Sequence, residues 1–466
     1  MKPSVQVSPA IKMSAPERKE FYKELFALAV PIGLQSLLVA LLGATDALML
    51  GRLTQDSVAA VSLANQIAFI MSLFLFSLVG GGSALIAQYW GKGDKNMVKN
   101  LFCTMLKYST LISFVFFSLA FLIPEKLMGI YTNEAELISI GGSYLRAVSF
   151  SYLFNGLNQC YFQMMKVEDR ASRSVFISVA MLITDVVLDY FLIYGNGPFP
   201  ALGANGSAYS TIGVEAVALI WCIIESHRPG CIHPDAAGLK WFSRDILKDL
   251  LKIALPMLAS ALAWGLGYSA HSLLMGHMGF DATAAASITS VMLELITCMC
   301  KGLSAGAGIM IGKLLGDSQF EKAKTYGRAF WGVSLWCGVF NMALLAVTGP
   351  VILHFFVLTE TARQYLIYML IFTGAYGFAY SLNTIITCGV FPAGGDAIYD
   401  SISVFFSMWC FALPLAFLGL FVFHWPVMAV YIVMCMDEIV KLPWIYPRYK
   451  KYLWLTNLTR EDEQKV

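Results

Sequence analysis

The sequence has little charge. Only 13% of its 466 residues are Asp, Glu, Lys or Arg, whereas 58% are hydrophobic. A soluble domain has about 25% charged residues. The deficit excludes a large soluble core and indicates a polytopic membrane protein.

Several functional signatures are also missing. No GxxxxGK[ST] pattern is present, so we expect no bound nucleotide, and any pumping must use an energy source other than ATP. The N-terminus (MKPSVQVSPAIKMSAPERKE) is polar and lacks the short apolar core of a cleavable signal peptide. Cys298 and Cys300 form a C-x-C without a second Cys or His pair nearby, which favours buried thiols over a metal site. We expect no cofactor and no nucleic-acid partner.

What the chain has instead is long apolar runs. About 20 apolar residues are needed to cross a bilayer. Twelve stretches qualify: 24–51, 57–88, 101–123, 137–165, 172–195, 201–225, 248–277, 283–312, 328–357, 361–390, 398–422 and 425–446. The fold class predicted is therefore an all-α polytopic membrane protein with twelve transmembrane helices.

The basic residues predict the orientation of these spans. With the N-terminus placed in the cytoplasm, about 26 of the 32 basic residues fall in the tails, the inner loops or the helix ends beside them. This pattern predicts a multi-pass protein of the cell (inner) membrane with both termini in the cytoplasm. The predicted parts are a cytoplasmic tail, an N-terminal six-helix bundle, a cytoplasmic linker, a C-terminal six-helix bundle and a second cytoplasmic tail, at 1–23, 24–225, 226–247, 248–446 and 447–466. We expect a monomer surrounded by lipid.

The chain repeats itself after 225 residues. KELFALAVP (23–31) aligns with KDLLKIALP (248–256), LMLGRLTQDSVAAVS (48–62) aligns with LLMGHMGFDATAAAS (273–287), and Gly91 aligns with Gly316. Each repeat has an even number of spans, so the two bundles run parallel and are related by a pseudo-twofold axis along the membrane normal. Such repeats are typical of transporters whose substrate site lies between the halves.

Acidic residues lie inside the spans of the first half. Asp185 and Asp189 are four residues apart, which places them on one face of a helix, and Asp46 lies in the first span. A carboxylate in hydrocarbon costs about 2.5–3.5 kcal/mol even on insertion scales. We therefore expect all three to face the bundle interior and to hold a proton or another small cation. The structural alternative is that they are hydrogen-bonded to polar neighbours.

The second half offers fewer candidates. Glu294 and Lys301 are two turns apart on one face of span eight, and His271 lies on the preceding span. They form either a buried ion pair or a second titrating site that contacts substrate. Tyr144, in the outer part of span four, belongs either to a network around Asp46 or to the membrane interface.

Prolines and glycines mark bends near these residues. Pro31 and Pro256 each remove a helical hydrogen bond and predict a hinge or a static kink. In the loop 198–211, Gly203 and Gly206 either expose backbone carbonyls near the acids or form a plain turn.

Several motifs together resemble the multidrug and toxic compound extrusion (MATE) transporters over residues 21–456. They are AVPIGLQSLL and D-x-x-x-x-G-R-L in the first span, VSLANQI and QYWGKGD in the second, FPAGGD (391–396), Trp409 with ALPLAFL, and the closing W-L-T-N-L-T. The resemblance implies a V-shaped protein of two six-helix bundles around a central cavity. It also implies export of organic, often cationic, amphipathic compounds in exchange for Na⁺ or H⁺.

The resemblance also implies an ion site. One bacterial branch of the family uses an Asp on the first helix, an Asn and an Asp four apart on the fifth, and a hydroxyl early on the sixth. The matching residues here are Asp46, Asp185, Asp189 and Ser207. Asp185 replaces the usual Asn, and this third acid leaves the choice between H⁺ and a Na⁺ ion at the three aspartates open. The other branch uses a Glu in the seventh helix, and the span 248–277 has none.

Other functions fit less well. A flippase for lipid-linked sugars, the first alternative, should line its cavity with basic residues, yet we expect only Lys107, Arg146 and Lys301 inside the spans. A membrane-embedded transferase would need His, Asp or Arg clustered at one membrane face, and the halves are too unlike for a symmetric channel. We interpret the chain as a secondary active exporter of small organic substrates and not as an enzyme.

Overall fold

The computed structural model describes residues 13–195, 199–355 and 358–460, and this part of the chain contains helices and no strand. Parts of the predicted tails (1–12 and 461–466), of the loop 198–211 and of the ninth span lie outside the described residues. The long helices are α1 (Ala15–Leu50), α2 (Gln55–Lys92), α3 (Lys95–Leu122), α4 (Ala135–Val167), α5 (Ala171–Tyr194), α6 (Ala204–Ser226), α7 (Arg244–His277), α8 (Phe280–Gly316), α9 (Phe320–Phe355), α10 (Glu360–Ala393), α11 (Ala397–Phe421) and α12 (Val427–Lys450).

Each predicted span coincides with one of these helices. Ten of them are long and apolar enough to cross a membrane, and the other two, α4 and α12, are more polar. The protein is therefore an all-α, multi-pass membrane protein with two sets of six helices, as predicted.

Local sequence signals set the helix boundaries. The Thr54 hydroxyl accepts a hydrogen bond from the Ser57 amide at 3.1 Å and caps the start of α2. Gly93 ends α2 in the left-handed conformation, with φ 83°. Pro31 and Pro256 lie inside α1 and α7, and both helices continue through them. Two wide π-helical segments, Ile385–Val390 in α10 and Phe405–Ala412 in α11, interrupt the regular hydrogen bonding of those helices.

The internal repeat is visible as a reciprocal contact between the halves. Gly91 on α2 packs so closely on the carbonyl of Lys313 on α8 that a Cβ would overlap it, and Gly316 packs in the same way on the carbonyl of Gln88. These residues occupy equivalent positions of the 225-residue repeat, so a pseudo-twofold axis passes between α2 and α8. A second reciprocal set consists of Gly81 against Ala254 and Gly306 against Ala29.

The two bundles meet at the end of the molecule where α1 begins and α12 ends, which we call the terminal end. There α1 packs against α8, and α2 packs against α7 and α8. Toward the other end, polar side chains on α2 and α8 are exposed: Ser62, Asn65, Gln66, Ser287 and Glu294. Polar and charged groups face lipid only at high cost, so these side chains line a cleft between the bundles. The V-shaped arrangement opens away from the terminal end.

Candidate ion-coupling site

Three carboxyl groups from two helices meet inside the first bundle. Asp46 on α1 and Asp185 and Asp189 on α5 each offer an oxygen, and these atoms all lie within 4.8 Å of one another. Asp185 and Asp189 are 1% and 0% exposed, and Asp46 is partly buried. Three ionised carboxylates at this separation repel one another strongly in a poorly hydrated pocket. The arrangement therefore requires a proton or a bound cation.

The turn between α5 and α6 brings α6 against this pocket. Gly195 and Gly203 adopt positive φ angles of 71° and 57°. The Leu202 amide donates to the Leu192 carbonyl at 2.9 Å, which closes the turn. A Cβ on Gly206 would lie 2.6 Å from the Leu192 carbonyl carbon, so only glycine allows α6 to start this close to α5. The glycines thus determine helix packing beside the acids.

Two buried serines lie in the first two turns of α6, the helix that packs against α5. The Ser210 hydroxyl donates to an Asp185 carboxylate oxygen at 3.2 Å. Ser207 is 1% exposed, and its hydroxyl has no hydrogen-bond partner among the described residues. Sequence reasoning named Ser207 and missed Ser210, which lies one turn further along the same helix face.

Unsatisfied oxygens are concentrated in this pocket. Within the described part of the chain, one oxygen of Asp46, one of Asp185 and both of Asp189 are buried without a hydrogen-bond partner. Buried polar atoms without partners are uncommon and call for an explanation such as an ion. All the atoms that could act as ligands here are oxygens, which suit a hard cation such as Na⁺ or a proton shared between carboxylates.

Tyr144 lies at the edge of the pocket. It is 3% exposed, and its hydroxyl donates to the Asn65 side-chain oxygen at 3.4 Å. Arg146 is different, since it is exposed and pairs with Glu125 at 3.0 Å. Tyr144 is therefore buried inside the first bundle and hydrogen-bonded to α2, while Arg146 pairs with another residue at the surface.

The predicted residues of the second half do not form one buried group. Lys301 and Glu294 pair at 3.8 Å, but their side chains are 42% and 62% exposed, so the expected buried ion pair is an exposed one. Nε2 of His271 is buried without a partner, and no hydrogen bond or ion pair joins His271 to that pair in the described ranges.

The structure also contains a buried charged group that sequence reasoning missed. Asp437, Glu438 and Lys441 on α12 are all at most 4% exposed. They lie near Asp400 on α11 and Asn383 on α10, and we call these five residues the α12 cluster. The sequence DEIVK within an otherwise apolar span was a sufficient signal, because the cost that applies to Asp185 applies here too. Two expectations are therefore wrong. The buried acids are not concentrated in the first half, and basic residues inside the spans are not limited to Lys107, Arg146 and Lys301.

Twelve helices in two parallel repeats, with a cleft between them and a buried acidic pocket at its side, define a secondary transporter. The family model MatE matches residues 31–191 and 256–418, and the two matches begin 225 residues apart, at the spacing of the internal repeat. The chain belongs to this family, whose members are transporters and not enzymes.

Similar proteins extend over almost the whole chain. The uncharacterized transporter YisQ of Bacillus subtilis (strain 168) is 23% identical over 457 residues, which cover 98% of this chain and 99% of that protein. A crystal structure of a mutant of the Vibrio cholerae MATE transporter VcmN superposes with a TM-score of 0.87 at 17% identity, covering 95% of this chain and 99% of that one. A multidrug resistance MATE family transporter of the MOP superfamily, described in an outward-facing conformation, gives 0.84 at 18% identity, covering 92% and 95%. These structural similarities support the fold.

Proposed function

We propose that this protein exports organic, amphipathic or cationic compounds in exchange for H⁺ or Na⁺, and that the cation binds at Asp46, Asp185, Asp189 and Ser207. The observation that carries the proposal is the set of buried carboxylate oxygens that lack partners and share one pocket. A similar transporter described as conferring multidrug resistance supports the substrate class.

The geometry of α1 suggests how the pocket communicates with the rest of the protein. Gly302 and Gly306 on α8 pack against the middle of α1, at Ala29 and its neighbours. Pro31 lies beside this contact, and Asp46 lies four turns further along the same helix. A cation that draws Asp46 toward α5 therefore pulls on α1 above a hinge. Pro256 occupies the equivalent position of α7 and supplies the matching hinge.

In the proposed cycle, the outward-facing protein takes up the cation from the cleft. The bound cation favours release of substrate and return to the inward-facing form, where the cation leaves and new substrate binds. Coupling requires that cation and substrate differ in their affinities for the two forms. Tyr144, His271, Glu294 and Lys301 are candidates for substrate contact, because each lies in a helix that borders the cleft or the pocket.

We also propose the orientation and boundaries predicted from the sequence. The terminal end faces the cytoplasm, the cleft faces outward across the inner membrane, and the protein acts as a monomer. The tails 1–23 and 447–466 and the linker 226–247 are cytoplasmic, and the bundles are 24–225 and 248–446. Basic residues near the ends of helices at this side, among them Lys92, Lys313, Arg448 and Lys450, support the assignment.

Transport in proteoliposomes tests the proposal. We expect an imposed pH or Na⁺ gradient to drive movement of a fluorescent organic cation in the wild type, and Asp189→Asn to abolish this driven component. Glu136→Gln, which alters an exposed acid at the start of α4, is the matched control and should transport normally. Comparison of the two gradients identifies the coupling ion. Undiminished gradient-driven transport by a well-folded Asp189→Asn protein would refute the assigned site.

A further inference from the structure

The α12 cluster lies in the C-terminal bundle and has a defined set of hydrogen bonds. The Asn383 side-chain amide donates to the carbonyl and to a carboxylate oxygen of Glu438, each at 2.7 Å. Lys441 pairs with the other carboxylate oxygen of Glu438 at 2.5 Å. Ser260 on α7 donates to Asp400 at 2.6 Å. Glu438 and Asp400 are therefore satisfied acceptors.

Asp437 is different from its neighbours. It is 0% exposed, and neither of its carboxylate oxygens has a hydrogen-bond partner among the described residues. The side-chain oxygen of Asn383, which is 2% exposed, also lacks a partner there. Burying a carboxylate without a hydrogen-bond donor is unfavourable, because nothing replaces the water that hydrates it in the unfolded chain. The unmet acceptors therefore indicate a small ligand that supplies a donor.

The charge balance of the α12 cluster also indicates a small ligand, and one that is positively charged. Asp400, Asp437 and Glu438 carry three negative charges when ionised, and Lys441, which interacts with all three, carries one positive charge. The other titratable side chains near the cluster are Tyr376, Tyr380 and Cys388 on α10 and Cys435 on α12, and none of these residue types ordinarily carries a positive charge. The group thus has an excess of negative charge, and a cation must offset it.

A metal ion fits less well than a proton. Within the described ranges, the only acids whose oxygens converge closely enough to hold a metal are Asp46, Asp185 and Asp189. The oxygens of the α12 cluster are not arranged in this way, and Lys441 would repel an added metal cation. A proton on Asp437 removes one negative charge, needs no coordination shell and leaves Lys441 to Glu438, the pairing that is observed.

The internal repeat indicates that the extra charges are not required by the fold. In the first bundle, the Asn158 side chain donates to the carbonyl and a carboxylate oxygen of Glu215, just as Asn383 does to Glu438. Asp437 precedes Glu438 by one residue, and Lys441 follows it by three. At the same offsets from Glu215, the first bundle has the buried apolar residues Val214 and Ala218. The same helix contact forms with apolar residues there, so Asp437 and Lys441 add something beyond packing.

The surrounding backbone is suited to movement. The π-helical segment Ile385–Val390 begins two residues after Asn383, and Phe405–Ala412 begins five residues after Asp400. Wide turns of this kind are frequent at functional sites because they break the regular helical hydrogen bonding. Cys388, within the first of them, is exposed, so α10 has an accessible surface one turn from the cluster.

We propose that Asp437 is a second proton-binding site, in the C-terminal bundle, which gains and loses a proton during the transport cycle. The proposal rests on the antiport function proposed above and adds a coupling group in the bundle that does not contain Asp46 and Asp189. Lys441 is the positioning residue, since it stabilises the ionised form of Asp437 and pairs with Glu438 when Asp437 is protonated.

Infrared difference spectroscopy of the lipid-reconstituted protein at stepped pH values tests this directly. We expect the wild type to show the C=O band of protonated carboxyl groups, and Asp437→Asn and Asp189→Asn each to lose a different part of it. Proton release on addition of a transported organic cation should fall by about one proton per protein in Asp437→Asn. An unchanged band and unchanged proton release in Asp437→Asn would overturn the proposal. The Asp189→Asn arm reports separately on the function proposed above.

A second variant keeps the test decisive if Asp437→Asn does not fold. Lys441→Gln removes the ammonium group that favours the carboxylate, so the Asp437 part of the band should persist to higher pH. A band that titrates as in the wild type would contradict the proposal. A merely structural role for Lys441 would change thermal stability without moving the titration.

Discussion

The backbone amide of Leu458 donates to the side-chain oxygen of Gln88 at 2.6 Å, and this bond joins the two bundles. Leu458 belongs to the segment 452–460 after α12, which we call the C-terminal strap, while Gln88 lies on α2. The Gln88 amide in turn donates to the carbonyls of Ala393 and Thr456. Arg460 continues the strap, donating to Asp249 on α7 at 2.7 Å and accepting from Lys92 on α2 at 2.6 Å.

The strap should therefore hold the terminal end closed. In Gln88→Met all three bonds are lost at a fully buried position, at a cost of about 1–3 kcal/mol. We expect the population to shift toward the form that is open at the terminal end. Spin-label distances across that end, between α2 and α7, would measure the shift. Gln163→Met is the control, because Gln163 bonds Ser83 within one bundle, and equal distance distributions in both variants would contradict a role for the strap.

The third acid of the ion site provides a second prediction. In Asp185→Asn the side-chain oxygen can still accept from Ser210, so the packing between α5 and α6 should survive while one negative charge is lost. We expect gradient-driven transport to remain within about tenfold of the wild type, with fewer protons bound per protein. Asp189→Asn should abolish driven transport. Transport in proteoliposomes and proton release measured side by side decide this, and equal losses in both variants would contradict it.

The turn beside the site provides a third prediction. Gly206→Ala would place a Cβ 2.6 Å from the Leu192 backbone, so α6 must move away from α5. Overpacking of this kind costs about 1–3 kcal/mol. We expect a lower thermal unfolding temperature and weaker cation binding. Gly213→Ala is the control on the same helix, because its Cβ would meet the flexible Leu188 side chain at 3.2 Å. Equal stability of the two variants would show that α6 is not fixed by this approach.

The twelve helices, the parallel repeat and the acids of α1 and α5 could all be predicted from the sequence. Apolar runs reveal spans because the bilayer allows few other structures, and Asp185 and Asp189 stand out against such a run. The contact of Ser210 with Asp185 could not be predicted, because it depends on how close α6 lies to α5. That distance depends on the turn at Gly195 and Gly206, which no hydropathy pattern describes.

The α12 cluster was missed for another reason. Lys441 lies near the end of its span, where basic residues usually determine topology, and this made it look like a flanking charge. Its burial together with Glu438 is visible only when α10, α11 and α12 are packed together. The exposure of Glu294 and Lys301 likewise depends on the cleft between the bundles, which a span-by-span analysis does not contain.

The two equivalent asparagines provide the last prediction. Asn158→Leu and Asn383→Leu each remove two hydrogen bonds to a buried glutamate, at about 1–3 kcal/mol. Among the described residues, Glu215 then keeps the neutral donor Asn155 at 2.7 Å, whereas Glu438 keeps the ammonium group of Lys441. Charge-assisted hydrogen bonds are roughly twice as strong as neutral ones, so we expect Asn158→Leu to be the less stable variant. Thermal unfolding in the same detergent measures the difference. A larger decrease in the unfolding temperature of Asn383→Leu would contradict this expectation. It would mean that Lys441 does not compensate Glu438 for the hydrogen bonds lost with Asn383.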